Sequence, residues 1–248
     1  EIVARAPADG YTLMFGNSSL PISVSLYDRL NFDVTKDFTP VSLAAMTPSV
    51  LVVHPSLPVR SIKDLIALAK KQPNKLNYAS GGVGNTMHLA AALLDTMAGI
   101  QMTHVPYKGA GPAFPDLIGG QVHVMFDNMP SSIEFIKTGK LRALGVTTEK
   151  RVDAFPNAPA IGEVVPGFAA EHWYGLWGTP GTPKSIIDRV NKAVGVALQA
   201  PDLRERIIAD GFTPAYSTPE EYRKRLEKDV ARWKDVVRKA NIKIDVIG

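Results

Sequence analysis

The feature that most constrains this chain is a succession of short apolar segments separated by helix-length amphipathic ones, with glycine or proline at nearly every boundary. From Val50 onward the order reads strand Val50–Val53, helix Ile62–Lys71, strand Lys75–Ala79, helix His88–Met97 and strand Met102–Val105. A short helix to Ile118, strand Val122–Phe126, a helical turn Ile133–Lys137 and strand Leu141–Thr147 complete the run. Strands alternating with helices at this spacing predict α/β architecture with a largely parallel sheet. Local signals set the boundaries: Ser61 is a good N-cap with Asp64 at the third helical position, Pro73 ends that helix and Gly99 stops the next.

On either side of this run the pattern changes. Tyr11–Phe15, after an Asp9-Gly10 turn, reads as a buried strand ending at Gly16-Asn17-Ser18-Ser19. Beyond residue 148 comes a loop-rich stretch with Pro156, Pro159 and Pro166, then the aromatic segment His172–Gly178. Three helices follow, Lys184–Gln199, Asp202–Asp210 and Pro219–Ala240, each opened by a proline at or near its first turn.

Composition removes several kinds of chemistry. The chain of 248 residues has no cysteine, which excludes thiol nucleophiles, cysteine-based zinc or iron–sulfur sites and a disulfide scaffold. No run of about 18 apolar residues is present, the length a membrane-crossing helix needs. The net charge of +4 is spread over alternating basic and acidic residues, the pattern of a solvated surface, so no nucleic-acid partner is expected. The histidines His54, His88, His104, His123 and His172 show no metal-binding spacing; His88 has Ala92 at i+4. No metal and no cofactor is expected.

Ser80-Gly81-Gly82-Val83-Gly84-Asn85-Thr86 joins a strand to a helix, yet it fits no nucleotide or nucleophile motif. A P-loop needs lysine after its last glycine, where Asn85 stands; a dinucleotide fingerprint needs glycine or alanine at Met87; a nucleophile elbow needs glycine at Tyr78. What remains is either a tight turn or an anion site, since a helix start exposes unpaired N–H groups and the positive end of the helix dipole. Asn17-Ser18-Ser19, Gly109-Ala110-Gly111 and Asp127-Asn128 also stand at strand ends, where ligands of open α/β sheets bind. Lys108 is the only Lys or Arg between residues 76 and 134, among four acidic residues, so an anion here would rest on backbone and hydroxyl donors. Trp173, Tyr174 and Trp177 are read either as core or as a ligand-facing wall.

The phrases ARAPADGYTL, FTPVSLAAMTPSVLVVHPSLPVRSIKDLIALAK, LNYASGGVGNTMHLAAALL, VPYKGAGPAFPDLIGGQVHVMFDN and WYGLWGTPGTPKSIIDRVN resemble the Bug or TctC family, the substrate-binding proteins of tripartite tricarboxylate transporters. The likeness runs from about Ala4 to Trp233. It implies a two-lobed, type II periplasmic-binding-protein-like fold hinged by two crossing segments. Residues 1–48 and 171–248 would form the first lobe and 49–170 the second. It further implies a non-enzymatic periplasmic receptor, a monomer, that closes its lobes over a small organic carboxylate and hands it to membrane permease subunits. Carried onto this chain, the ligand contacts would be Ser18, Ser19, Ser80, Gly82, Gly84, Asn85, Thr86, Lys108, Gly109, Ala110, Asp127, Trp173 and Tyr174. Family members begin with a strand, a glycine-rich loop and a helix ahead of ARAPADGYTL, which this sequence lacks, and N-terminal truncation with either weaker binding or a remodelled cleft is the expectation. The competing readings are an α/β enzyme acting on a carboxylic acid with His172 or Asp127 as base, and a ligand-presenting partner of a membrane sensor.

Overall fold

The computed structural model describes residues 2–27, 30–152 and 155–243. Glu1 and residues 244–248, which the sequence reading places in the first lobe, lie outside the described residues. The chain forms two compact units: one holds the described residues up to Thr47 together with His172–Asp235, and the other holds Pro48–Glu171 with Val236–Lys243. Val236–Lys243 therefore counts with the second unit, although the sequence reading assigns all of 171–248 to the first.

The second unit is a five-stranded sheet in the order β5-β4-β6-β3-β7, built from β3 (Ser49–Val53), β4 (Asn77–Ser80), β5 (Thr103–Pro106), β6 (Val124–Asn128) and β7 (Arg142–Val146). Its helices are α2 (Ile62–Lys71), α3 (Thr86–Ala98), α4 (Ala113–Ile118) and α5 (Met129–Lys137). β4 pairs in parallel with both β5 and β6, but β3 runs antiparallel to β6 and β7. The sheet is thus mixed, which corrects the expectation of a largely parallel one. All five residues of β3 are buried, because strands lie on both its sides and helices cover its faces. Val50, Val52, Ala79 and Met125 of the sheet pack with Met87, Phe114 and Leu117 of α3 and α4 in one core.

Helix α2 is amphipathic and starts as read: Ser61 Oγ accepts the Asp64 amide at 3.1 Å, while Asp64 Oδ2 accepts the Arg60 amide at 3.0 Å. The Arg60 amide first, and hydrogen bonding from Ser61 to the carboxyl after it, hold Asp64 below the usual carboxylate range.

The first unit contains a four-stranded sheet in the order β1-β8-β2-β9, from β1 (Leu13–Asn17), β2 (Thr39–Thr47), β8 (His172–Gly178) and the two-residue β9 (Thr213–Pro214), with all its pairings antiparallel. Helices α1 (Ser19–Leu26), α6 (Lys184–Ala197), α7 (Pro201–Ala209) and α8 (Pro219–Lys239) complete the helical set. The buried strand expected at Tyr11–Phe15 is displaced and is an edge strand. Asp9 Oδ1 accepts the Tyr11 amide at 3.0 Å, which holds Tyr11 in a turn and leaves it 93% exposed, and Phe15 is 63% exposed. Strand β2 does not stand out in the sequence, because Pro40 and the small residues Ser42, Ala44 and Ala45 mask its pattern.

Candidate functional site

Parallel pairing puts the carboxyl ends of β4, β5 and β6 on one edge of the second sheet: Ser80 lies opposite Pro106, and Ala79 opposite Met125. The loops that leave β4 and β5 are joined there. The Tyr107 amide donates to Ser80 O at 2.9 Å and the Gly109 amide to Gly81 O at 3.1 Å. Ser80, Gly82, Gly84, Asn85 and Thr86 are so brought together with Lys108, Gly109 and Ala110. The close approach favours glycine at 81, because a Cβ there would lie 3.3 Å from the Gly109 backbone and 2.7 Å from Asn85 Nδ2. Gly82 and Gly84 have φ of 139° and 76°, conformations that L side chains resist.

Asn85 is the N-cap of α3, a role the sequence reading did not give it: its Oδ1 accepts the His88 amide at 2.9 Å. The Thr86 and Met87 amides then remain at the helix start, where no internal carbonyl reaches them. Lys108 is exposed beside this edge. The arrangement can hold an anion on helix-start amides with one cation nearby.

The expected ligand contacts do not all present their polar groups. Ser80 is fully buried, with Oγ bonded to Gly82 O at 3.0 Å, the Gly82 amide at 3.2 Å and His104 Nε2 at 2.6 Å. Its hydroxyl braces the loop from within and is not a free donor. The Gly84 amide donates to His88 Nδ1 at 3.0 Å, so that expected donor is also consumed inside the unit. Asp127 ends in the interior: it is fully buried, Oδ2 accepts Ser132 Oγ at 2.6 Å, Oδ1 has no partner, and burial raises its carboxyl above the usual carboxylate range.

Behind the loop, His88 and His104 stack with ring centroids 3.7 Å apart and planes 13° apart, and Tyr78 stacks on His104 at 5.0 Å. Burial pushes both imidazoles down to about 4, and for His88 the neighbouring His104 adds to it. With Tyr78, Asp95 and Lys239 they line a polar cavity of about 430 Å³. Burial raises Asp95 to about 7, and its Oδ1 is unpartnered. Sequence reading named neither histidine as a site residue; the signal lay in His88 standing four residues after Gly84 at a helix start.

In the first unit the two-residue period of β8 separates two residues expected to act together. Trp173 and Trp177 point into a core with Tyr222, Phe38 and Leu43, and Trp173 Nε1 donates to Asp229 Oδ2 at 2.7 Å. Trp173 is fully buried, which assigns it to the core and corrects its reading as a ligand wall. Tyr174 points to the other face, where it stacks on Phe15 at 6.1 Å and lines an apolar cavity of about 470 Å³ with Leu176, Ile207 and Phe212. Ser18 is buried, with Oγ against His172 Nδ1, whereas Ser19 is exposed at the start of α1. His172 is held below the ordinary histidine range by burial. Among the described residues no group of three or more His, Cys, Asp or Glu side chains is placed to hold a metal, and no helix is long and apolar enough to cross a membrane.

The family model described as the tripartite tricarboxylate transporter family receptor, TctC, matches residues 1–242. Among solved structures, the R. palustris protein Rpa4515 with adipate is 36% identical, with a TM-score of 0.78 over 97% of this chain and 81% of that one. The periplasmic binding protein BugD is 31% identical, with a TM-score of 0.76 over 98% and 82% of the two chains. MatC from Rhodopseudomonas palustris, with bound malate, is 30% identical, with a TM-score of 0.74 over 95% and 82%. With a family model spanning nearly the whole sequence, the chain belongs to the TctC family of tripartite tricarboxylate transporter receptors.

Proposed function

We propose that this protein is a periplasmic receptor that captures a small organic carboxylate, with dicarboxylates such as adipate and malate as the first class to test, and presents it as a monomer to membrane permease subunits of a tripartite transporter. The observation that carries this reading is the fusion of the β4 and β5 loops at one sheet edge, next to the open start of α3. Charge-assisted bonds from helix-start amides suit a carboxylate, and a single nearby lysine favours capture with release. Adipate bound to Rpa4515 and malate bound to MatC support the ligand class. In the first unit, the exposed Ser19 and the half-buried Tyr174 are the candidates for further contacts.

Isothermal titration calorimetry with adipate and malate tests the reading, with Thr86→Pro as the decisive variant. Proline is favoured at a first helical position, and Asn85 already has the extended backbone a residue before proline needs, with φ −74° and ψ 169°. The substitution therefore keeps α3 and deletes one amide donor. Affinity is expected to fall about tenfold or more, the worth of a hydrogen bond to a charged acceptor; unchanged affinity would remove the α3 start from the site. Mass spectrometry of a bound acid after incubation is expected to return it intact, and turnover would establish the enzymatic alternative.

A further inference from the structure

The glycine loop is held from its inner side by two histidines. Gly84 donates its amide to His88 Nδ1 at 3.0 Å, so that nitrogen carries a lone pair and the proton sits on Nε2. Ser80 Oγ lies 3.0 Å from Gly82 O and 2.6 Å from His104 Nε2, and it accepts the Gly82 amide at 3.2 Å. With the single hydroxyl proton on Gly82 O, His104 Nε2 is the donor to Ser80. The two rings stack at 3.7 Å, so each buttresses the other's orientation. Both amides tethered this way belong to residues of positive φ, the positions where the loop turns.

We propose that His88 and His104 are positioning residues for the carboxylate loop: His88 directly through the Gly84 amide, and His104 through Ser80, they fix the turn that leaves the start of α3 open to an anion. The inference rests on the reading of that loop as the carboxylate site. The groups facing the pair are Tyr78 from β4, Asp95 from α3 itself, and Lys239 from the end of α8. Because burial keeps both imidazoles neutral until about pH 4, the Nδ1 acceptor on His88 persists through the neutral range. A proton on Nδ1 would set N–H against the Gly84 N–H and release the loop.

The experiment uses the full ¹⁵N-labelled chain and has one readout that needs no ligand. At pH 7 the His88 Nδ1 nitrogen is expected to show the shift of an unprotonated acceptor, and the Gly84 amide to be protected from exchange, with protection unchanged between pH 8 and 5.5. His88→Ala is expected to lower Gly84 protection about tenfold. His88→Asn, whose Oδ1 occupies the place of Nδ1, should recover most of it, and His88→Gln, which reaches past that place, should not. Adipate and malate affinity by calorimetry should follow the same order. An unprotected Gly84 amide in the unmodified protein, or His88→Ala and His88→Asn behaving alike, would overturn the proposal. If His88→Ala does not fold, the Asn and Gln variants alone decide it. A protected Gly84 in a protein that binds neither acid would refute adipate and malate as its ligands and leave the positioning role standing.

Discussion

Replacing Trp173 with Phe separates the two roles open to the aromatic segment. Trp173 is fully buried, its Nε1 donates to Asp229 Oδ2 at 2.7 Å, and Asp229, itself buried, is also bonded by Arg225 Nε at 3.2 Å. Phenylalanine keeps an aromatic ring against Trp177 and Tyr222 but removes the donor. Loss of a hydrogen bond to a charged acceptor costs about 1.5–3 kcal/mol. The smaller ring leaves an unfilled volume that adds roughly 1 kcal/mol. The sum, about 3 kcal/mol, corresponds to a fall in Tm of about 6–12 °C for a chain of this size. The assay is thermal unfolding followed by circular dichroism, paired with calorimetry of adipate binding. Affinity is expected to stay within about threefold once the protein is folded, because Trp173 faces away from the Tyr174 side of β8. In a double-mutant cycle with Asp229→Asn, the pair should couple by about 1 kcal/mol or more. A Tm within about 2 °C of the unmodified protein, or a lost affinity at unchanged Tm, would refute the assignment of Trp173 to the core.

Two further outcomes follow from buried contacts. Gly175→Ala would place a Cβ 2.5 Å from Tyr222 Oη and 2.8 Å from Ser42 O. It is expected to destabilise by about 1–3 kcal/mol in urea unfolding, and adding Tyr222→Phe should recover only part of the loss because the Ser42 carbonyl remains. Asp95 and His88 oppose one another in the pH profile. His88, lowered from 6.5 to about 4, contributes stability that is full above pH 6.5 and is lost as pH falls toward 4. Asp95, raised from 3.8 to about 7, contributes stability that is full below 3.8 and is lost as pH rises through 7. Asp95→Asn retains an oxygen for the Met102 amide, which Asp95 Oδ2 accepts at 2.9 Å. The variant should be more stable than the unmodified protein at pH 8 by roughly 1–3 kcal/mol, equal to it near pH 4, and steeper in its loss between pH 6.5 and 4. Parallel profiles would show that Asp95 is ionised in the fold.

Local physics made several elements readable from sequence. Helix α2 spans Ile62–Lys71 as read, because its cap, its amphipathic period and Pro73 all act within a few residues. The three C-terminal helices begin at or next to their predicted residues for the same reason, since proline at a first turn is a local constraint. The glycine loop and Gly109-Ala110-Gly111 stand out in the sequence as candidate anion loops because a strand end followed by a helix start exposes amides wherever it occurs.

What sequence alone could not decide was how distant segments meet. The direction of β3 depends on β6 and β7, which lie far along the chain, so its apolar run is equally consistent with a parallel or an antiparallel partner. The alternation in His172–Gly178 puts Trp173 and Tyr174 on opposite faces, but only the packing of Tyr222 and Leu226 from α8 makes the Trp173 side the core. Similarly, His88 lies within reach of Gly84 by helical spacing, while its ring is held there by His104 from β5. Sequence by itself determined the elements, the caps and the chemistry available at the loops, because those follow from interactions over a few residues. Tertiary structure decided which of the expected contact groups remain free, since the amide of Gly84, the hydroxyl of Ser80 and the carboxyl of Asp127 are each claimed or enclosed by residues that only folding brings near.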